Sequence, residues 1–234
     1  MKPLVGVTAL EKVLFGALPS AYPVSNESAG PQSVPCLART ALTDIPSELV
    51  ACNALGRALQ PEEAGVHFFK GDRQFLRTLT EPLQWMPRLH KFKSVLTPDY
   101  SLGIGMPPWQ RARNVVLSRA TGVVWQSRGL TVIPTLRWIG PEDFELVSSG
   151  VPTKSVFAVS SYAARREPAC YANFKSGLVA MIDLLEPQGI ILYGSVDEET
   201  LHQAQDKTNV FRFGNVREFD KASGTGRPEL SQLF

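Results

Sequence analysis

Four places in this 234-residue chain set side chains capable of chemistry directly behind short apolar runs. The first is Pro98-Asp99-Tyr100-Ser101, behind Val95-Leu96-Thr97. A carboxylate and a hydroxyl two residues apart there could take a ligand proton, hold a metal or bind a sugar hydroxyl. The competing reading is that Asp99 accepts backbone hydrogen bonds and stabilises the turn. The second is Arg137-Trp138, behind Val132-Ile133-Pro134-Thr135-Leu136. Its guanidinium fork suits a carboxylate or phosphate, and its indole offers a stacking face. Arg137 could instead pair with Asp99 across adjacent strand ends, and the two readings are compatible. The third and fourth are Ser160-Ser161-Tyr162 and Tyr193-Gly194-Ser195. Their hydroxyls and glycine allow close backbone approach to a ligand, although plain strand termination explains them equally well.

The expected site therefore has Asp99 as acid, base or acceptor, Arg137 as anion clamp, Trp138 as stacking platform, and Ser101, Ser160, Tyr193 and Ser195 as ligand-positioning groups. His67, between Val66 and Phe68, reads as an interior histidine rather than a base. No Cys pair, His-x-x-x-His pair or P-loop is present, so the sequence gives no reason to expect a metal, and the cofactor is left unspecified.

The elements that must carry these residues are six short β-branched and aromatic runs, beginning at Val66, Val95, Thr131, Ser155, Ile190 and Val210. All but the last precede a stretch of helical period. Such alternation predicts an α/β fold with a parallel sheet buried on both faces, whose strand carboxyl ends form the ligand edge. Two further runs, Cys36-Leu37-Ala38 and Leu49-Val50-Ala51-Cys52, would raise the count to the eight of a barrel. The first expectation is therefore an irregular TIM-like (βα) barrel, and the second an open doubly wound parallel sheet.

Pro107 and Pro108 suit a helix start, and the segment to Arg128 recurs through Trp109, Ala112, Val116, Ala120 and Val123 as one apolar face. Arg111, Arg113, Arg119 and Arg128 scatter around that helix and read as solvated. A second helix, about Tyr171 to Leu185, places Phe174, Leu178, Met181, Ile182 and Leu185 together. Ser195 and Glu198 have capping-box spacing for a third. The four prolines of Leu18 to Pro35 preclude regular structure, so residues 1–35 read as an arm, with a possible short helix over Leu4 to Leu18. Residues 36–213 read as one α/β domain and 214–234 as a polar, glycine-containing tail.

Composition excludes little. A hydrophobic fraction of 44% and charged fraction of 20% are those of a globular protein, and 24 basic against 22 acidic residues give only weak attraction to polyanions. Three distant cysteines argue against a disulfide framework and for a reducing, cytoplasmic setting. No apolar run approaches the ~18 residues of a membrane span. Glu11 and Lys12 interrupt any signal-peptide core, so no membrane or secretion role is expected.

Val66-His67-Phe68-Phe69 with Asp72, then Pro98-Asp99-Tyr100-Ser101 with Met106-Pro107, then Val132 to Trp138, then Ile191 to Ser195, form an ordered succession. It resembles the domain of unknown function 4417 family over about Ile45 to Phe213. The chain departs from that pattern in having Thr97 before Pro98 and only Ser223 to Gly226 as a glycine-rich end. The resemblance implies a phage or mobile-element origin and carries no catalytic residue.

Two functions follow as expectations. One is a small anionic ligand site, for a phosphorylated or nucleotide-like compound, at the strand carboxyl ends. It predicts that Asp99→Asn and Arg137→Ala spare the melting temperature while removing ligand-induced stabilisation. The other is a non-catalytic phage effector that binds a host protein or nucleic acid through arm, tail and scattered arginines, including a role in replication or partition.

Overall fold

A computed structural model describes residues 34–214. The expected arm, except Val34 and Pro35, and the tail beyond Gly214 lie outside the described residues, as do the Leu4 to Leu18 helix and the Ser223 to Gly226 glycines.

Among the described residues seven parallel strands form two sheets, β1 Glu48–Ala51, β2 Ala64–His67, β3 Ser94–Leu96 and β4 Val132–Ile133 in one, and β5 Val156–Ser160, β6 Gly189–Tyr193 and β7 Asn209–Phe213 in the other. Neighbours in space follow chain order in both sheets, with register Val66↔Val95, Val95↔Val132, Ala158↔Ile191 and Ile191↔Phe211. A parallel bridge, Thr135↔Ala158, joins the sheets; Ala158 N donates to Pro134 O and Leu136 N to Ala158 O, both at 2.8 Å. The protein is thus an α/β fold with parallel sheets, as parallel strands alternating with crossover helices require.

The helices are α1 Arg77–Thr80 and α2 Met86–Leu89 between β2 and β3, α3 Pro108–Gln126 after β3, α4 Phe144–Ser148 after β4, α5 Pro168–Leu185 after β5 and α6 Glu198–Gln205 after β6. Alternation along each strand sorts its residues. On β5, Phe157 and Val159 pack with Leu178, Met181 and Ile182 of α5, whereas Val156 and Ala158 point the other way. That other face joins Leu96, Ile133, Ile191, Tyr193 and Phe213, so residues from distant strands share one cluster. The His67 and Tyr193 rings lie 4.6 Å apart there. In a flat sheet β2 and β6, four strand spacings apart, would be about 19 Å from each other. The sheet therefore curves strongly. A closed TIM barrel is not shown, because among the described residues β7 does not pair with β1.

Four sequence expectations are corrected. The Leu49 run is β1, but Cys36-Leu37-Ala38 is no strand: the Ala38 amide and carbonyl are both taken by the Gln126 side chain, at 2.9 and 3.2 Å, instead of a sheet neighbour. Trp109 is 68% exposed; of the face read for α3, Ala120 and Val123 are buried, together with Leu117, Thr121, Val124 and Trp125. Arg119 is not solvated but 1% exposed, its guanidinium donating to Thr135 O (3.0 Å), Val147 O (2.8 Å) and Ser149 O (3.3 Å). The cap of α6 is Asp197, whose Oδ1 accepts from Thr200 N and Oγ1 at 3.0 and 2.8 Å, not Ser195.

Candidate functional site

Prolines decide where β3 and β4 stop. Pro98 and Pro134 have no N–H, so neither can donate to a neighbouring strand. Threonine side chains continue it instead: Thr135 N donates to Thr97 Oγ1 at 2.8 Å, Thr135 Oγ1 to Thr97 O at 2.9 Å, and Ser118 Oγ of α3 to Thr97 Oγ1 at 3.1 Å. This buried network holds the two strand extensions side by side, and two residues further along each extension stand Asp99 and Arg137.

They form a two-point ion pair. Arg137 Nε donates to Asp99 Oδ1 at 2.7 Å and Nη2 to Oδ2, the planar fork meeting a carboxylate edge to edge. The carboxylate is 3% exposed and the guanidinium 25%. Burial works against the Arg137 cation, but the Asp99 carboxylate outweighs it, and the guanidinium pKa lies above its ordinary value. Of the two readings weighed for Arg137, the pairing with Asp99 is the one the structure shows. Nε and Nη2 serve Asp99, and the Arg137 side chain also lines the cavities at the strand ends. The turn role considered for Asp99 belongs to Asp72, which accepts from Ser101 N at 3.2 Å and from Ser101 Oγ at 2.8 Å.

Three compartments adjoin along the strand carboxyl ends. A cavity of about 310 Å³ includes Asp99, Arg137, Trp138, Ser160 and Arg166 in its wall. One of about 350 Å³ includes Lys70, Ser101, Arg137, Ser160, Tyr162, Arg166 and Tyr193. A third of about 290 Å³ holds Ser161, Tyr162, Arg165, Arg166, Gly194 and Ser195. The parallel topology has brought Asp99, Arg137, Ser160 and Tyr193 to one rim, with Ser101 and Ser195 beside them.

Individual roles depart from the residue types. Trp138 is 8% exposed; Phe174 stacks on it at 5.6 Å and 10°, Phe144 meets it edge-on, and its Nε1 donates to Asn173 O at 3.0 Å. The indole is a wall of the cavity, with one face already covered. Tyr193, 8% exposed, stacks on Phe69 at 5.0 Å and touches His67. Ser101 has spent its proton on Asp72 and can only accept from a ligand, whereas Ser160 Oγ accepts from Tyr162 N at 3.3 Å and keeps its proton to donate. Arg165 Nη1 donates to Ser195 Oγ, and Gly194 permits the turn between them: its φ is +97° and a Cβ there would lie 2.6 Å from Ser161 Oγ.

His67 is interior, 2% exposed, and burial first, then the Lys70 charge, pushes its pKa down to about 3. Its Nδ1 accepts from Phe69 N at 3.2 Å, so the imidazole is neutral with its proton on Nε2. Sequence reasoning missed Lys70, Arg165 and Arg166. The available signal was position, since Lys70 directly follows Phe69, and Arg165-Arg166 fall between β5 and the Pro168 start of α5. Among the described residues no three His, Cys, Asp or Glu side chains gather as metal ligands, and no helix is long and apolar enough to cross a membrane.

Residues 26–214 match the family described as Domain of unknown function (DUF4417). The chain is 33% identical over 154 residues to the Gene 1 protein of Mycobacterium phage D29, covering 65% of this chain and 57% of that protein. It is 36% identical over 131 residues to the Gene 1 protein of Mycobacterium phage L5, covering 56% of this chain and 57% of that protein. The matched segments thus span little more than half the length of these phage relatives. No solved structure matches.

Proposed function

The chain belongs to the Domain of unknown function (DUF4417) family, and from the cleft at its strand ends we propose that it binds a small phosphate-bearing anion. The observation that carries this is the convergence of Lys70, Arg137 and Arg166 on one compartment, in which neither Lys70 nor Arg166 has an ion pair among the described residues. Asp99 neutralises Arg137 but also fixes its fork, so Nη1 is a pre-aimed donor rather than a flexible cation. Lys70 and Arg166 then supply uncompensated positive charge, and Ser160 a further donor. In this reading Asp99 is a positioning residue and Arg137 the anion contact. A carboxylate locked into an arginine fork is poorly placed to exchange protons with a ligand, so acid or base work by Asp99 is not part of the proposal.

The architecture proposed to support the cleft is a singly wound (βα) barrel, irregular and unclosed between β7 and β1. Strands adjacent in chain order and the cross-cleft contact of His67 with Tyr193 favour it. The same strand order also suits an open parallel sheet. Residues 36–213 are proposed to form this unit as one domain, within a cytoplasmic protein.

The test is thermal stabilisation of the full chain by phosphate compounds. A ligand at a hundred times its Kd adds about 2.7 kcal/mol, which for a protein of this size raises Tm by roughly 5–10 °C. Lys70→Ala and Arg166→Ala, both altering partly exposed side chains, should fold normally and lose most of that rise. A rise that both variants keep in full defeats the proposal.

A second reading rests on the relatives being phage proteins: a non-catalytic effector that captures a host protein or nucleic acid. It is supported if removal of residues 1–35 abolishes capture of such a partner while phosphate compounds have no effect on Tm. A nucleic-acid partner would further show affinity falling steeply with salt.

A further inference from the structure

The three compartments differ in chemistry, and the difference says which kind of phosphate compound they suit; this inference rests on the anion site proposed above. The cavity of about 310 Å³ is walled by Leu102, Ile104, Leu136, Ile139, Ala163 and Phe174, with Asp99 and Glu167 as its acidic side chains and Arg137 and Arg166 as its basic ones. The other two carry Lys70 and Arg165. Arg166 alone among the cations lines all three, its guanidinium 5.6 Å from the centroid of the Tyr162 ring.

We propose that the ligand is a nucleoside phosphate, with its base in the apolar compartment, its phosphate on the Lys70 and Arg165 side, and Arg166 at the junction. The orientation is set by charge. The first compartment sets Asp99 and Glu167 against Arg137 and Arg166 within apolar walls and so exerts no net pull on a phosphate, whereas the other two carry cations with no carboxylate in their walls and attract it. A flat apolar ring suits those walls, and they include Ile104, 69% exposed at the mouth, an apolar surface that a bound ring would cover. The polar edge of that ring would find an acceptor, since Glu167 Oε2 takes only a long 3.8 Å contact from Cys170 Sγ. The exocyclic amino group of a nucleobase is the donor such a carboxylate recognises. Between base and phosphate a ribose would meet Ser101, which accepts only, and Ser160, which retains a donor, a pair matched to hydroxyls.

The experiment is isothermal titration calorimetry of the full chain with inorganic phosphate, ribose 5-phosphate and the four ribonucleoside monophosphates. The expected result is that at least one nucleotide binds tenfold or more tightly than ribose 5-phosphate. Ala164→Phe, which narrows the apolar compartment, should collapse that margin. Ile104→Asp alters an exposed side chain, so it keeps the test valid if Ala164→Phe does not fold, and it should collapse the margin too. If ribose 5-phosphate binds as tightly as every nucleotide, or if the margin survives in both variants, the base assignment is overturned while the anion site stands. If no phosphate compound binds, the anion site itself fails and this inference falls with it.

Discussion

Asp99 and Arg137 stand thirty-eight residues apart in the chain and meet fork to edge, the carboxylate sealed at 3% exposure while the guanidinium keeps 25%. The unequal burial predicts unequal costs. Arg137→Met strands a buried carboxylate and should lower stability by about 3 kcal/mol or more. Asp99→Asn leaves a guanidinium that still reaches water and should cost about 1.5–3 kcal/mol, the range for a hydrogen bond to a charged group. Urea denaturation of both single variants and the double variant measures this, and the double should be less harmed than the sum. From the sequence alone these positions are expected to change with Tm spared; the buried pair predicts a loss instead.

Arg119 predicts a larger loss. Its guanidinium donates to carbonyls from β4's extension and from the end of α4, and it is 1% exposed with its pKa lowered by burial to about 10. Arg119→Met keeps the volume but leaves buried carbonyls without donors, at about 1–3 kcal/mol each before relaxation. A loss of at least 3 kcal/mol in chemical denaturation is expected, and a loss below 1 kcal/mol would show that the carbonyls find water.

His67 predicts a pH dependence. Its folded pKa, about 3, lies below the ordinary 6.5, so the unfolded chain takes up a proton that the native state refuses. The contribution is fully present above about pH 6.5 and is lost as pH falls toward 3. The slope from this residue approaches about 1.4 kcal/mol per pH unit below pH 6. His67→Phe should flatten the stability profile between pH 6 and 4 by that amount, as read from denaturant midpoints; an unchanged slope would mean that the imidazole is protonated in the fold.

Gly177 predicts a reversal of the usual helix rule. Alanine in place of glycine inside a helix ordinarily gains about 0.5–1 kcal/mol. A Cβ on Gly177 of α5, however, would lie 2.1 Å from Trp138 Nε1 and 2.5 Å from the next ring atom. The indole is held by Phe174, Phe144 and its bond to Asn173, so overpacking of about 1–3 kcal/mol should win. Gly177→Ala is expected to lower Tm, and to weaken ligand binding because Trp138 walls the cavity. A higher Tm would show that the indole swings aside freely.

Much of the scaffold was readable because its signals are local. The five apolar positions read for α5, Phe174 to Leu185, are all buried, and the β5 and β6 runs are strands at the predicted places. Period-two and period-3.6 patterns report which face of an element meets the core, and parallel strands then force Asp99, Arg137, Ser160 and Tyr193 to one edge whatever their partners are. Where a pattern is evenly apolar, the signal fails. The C-terminal half of α3 is buried nearly all round, so its period does not set Arg119 apart from the core, while Trp109, at the exposed start of the helix, has the right spacing without reaching the core.

The sequence by itself determined the α/β class, the parallel order of its units and the rim on which the polar strand ends gather, because these follow from burial patterns within single segments. Only the tertiary structure decided that Asp99 is held by Arg137, that Trp138 gives one face to Phe174, and that Lys70 and Arg166 share a cleft. Each of those facts joins residues brought together by loop paths and side-chain packing between distant segments, and no local periodicity encodes which distant partner fills a given space.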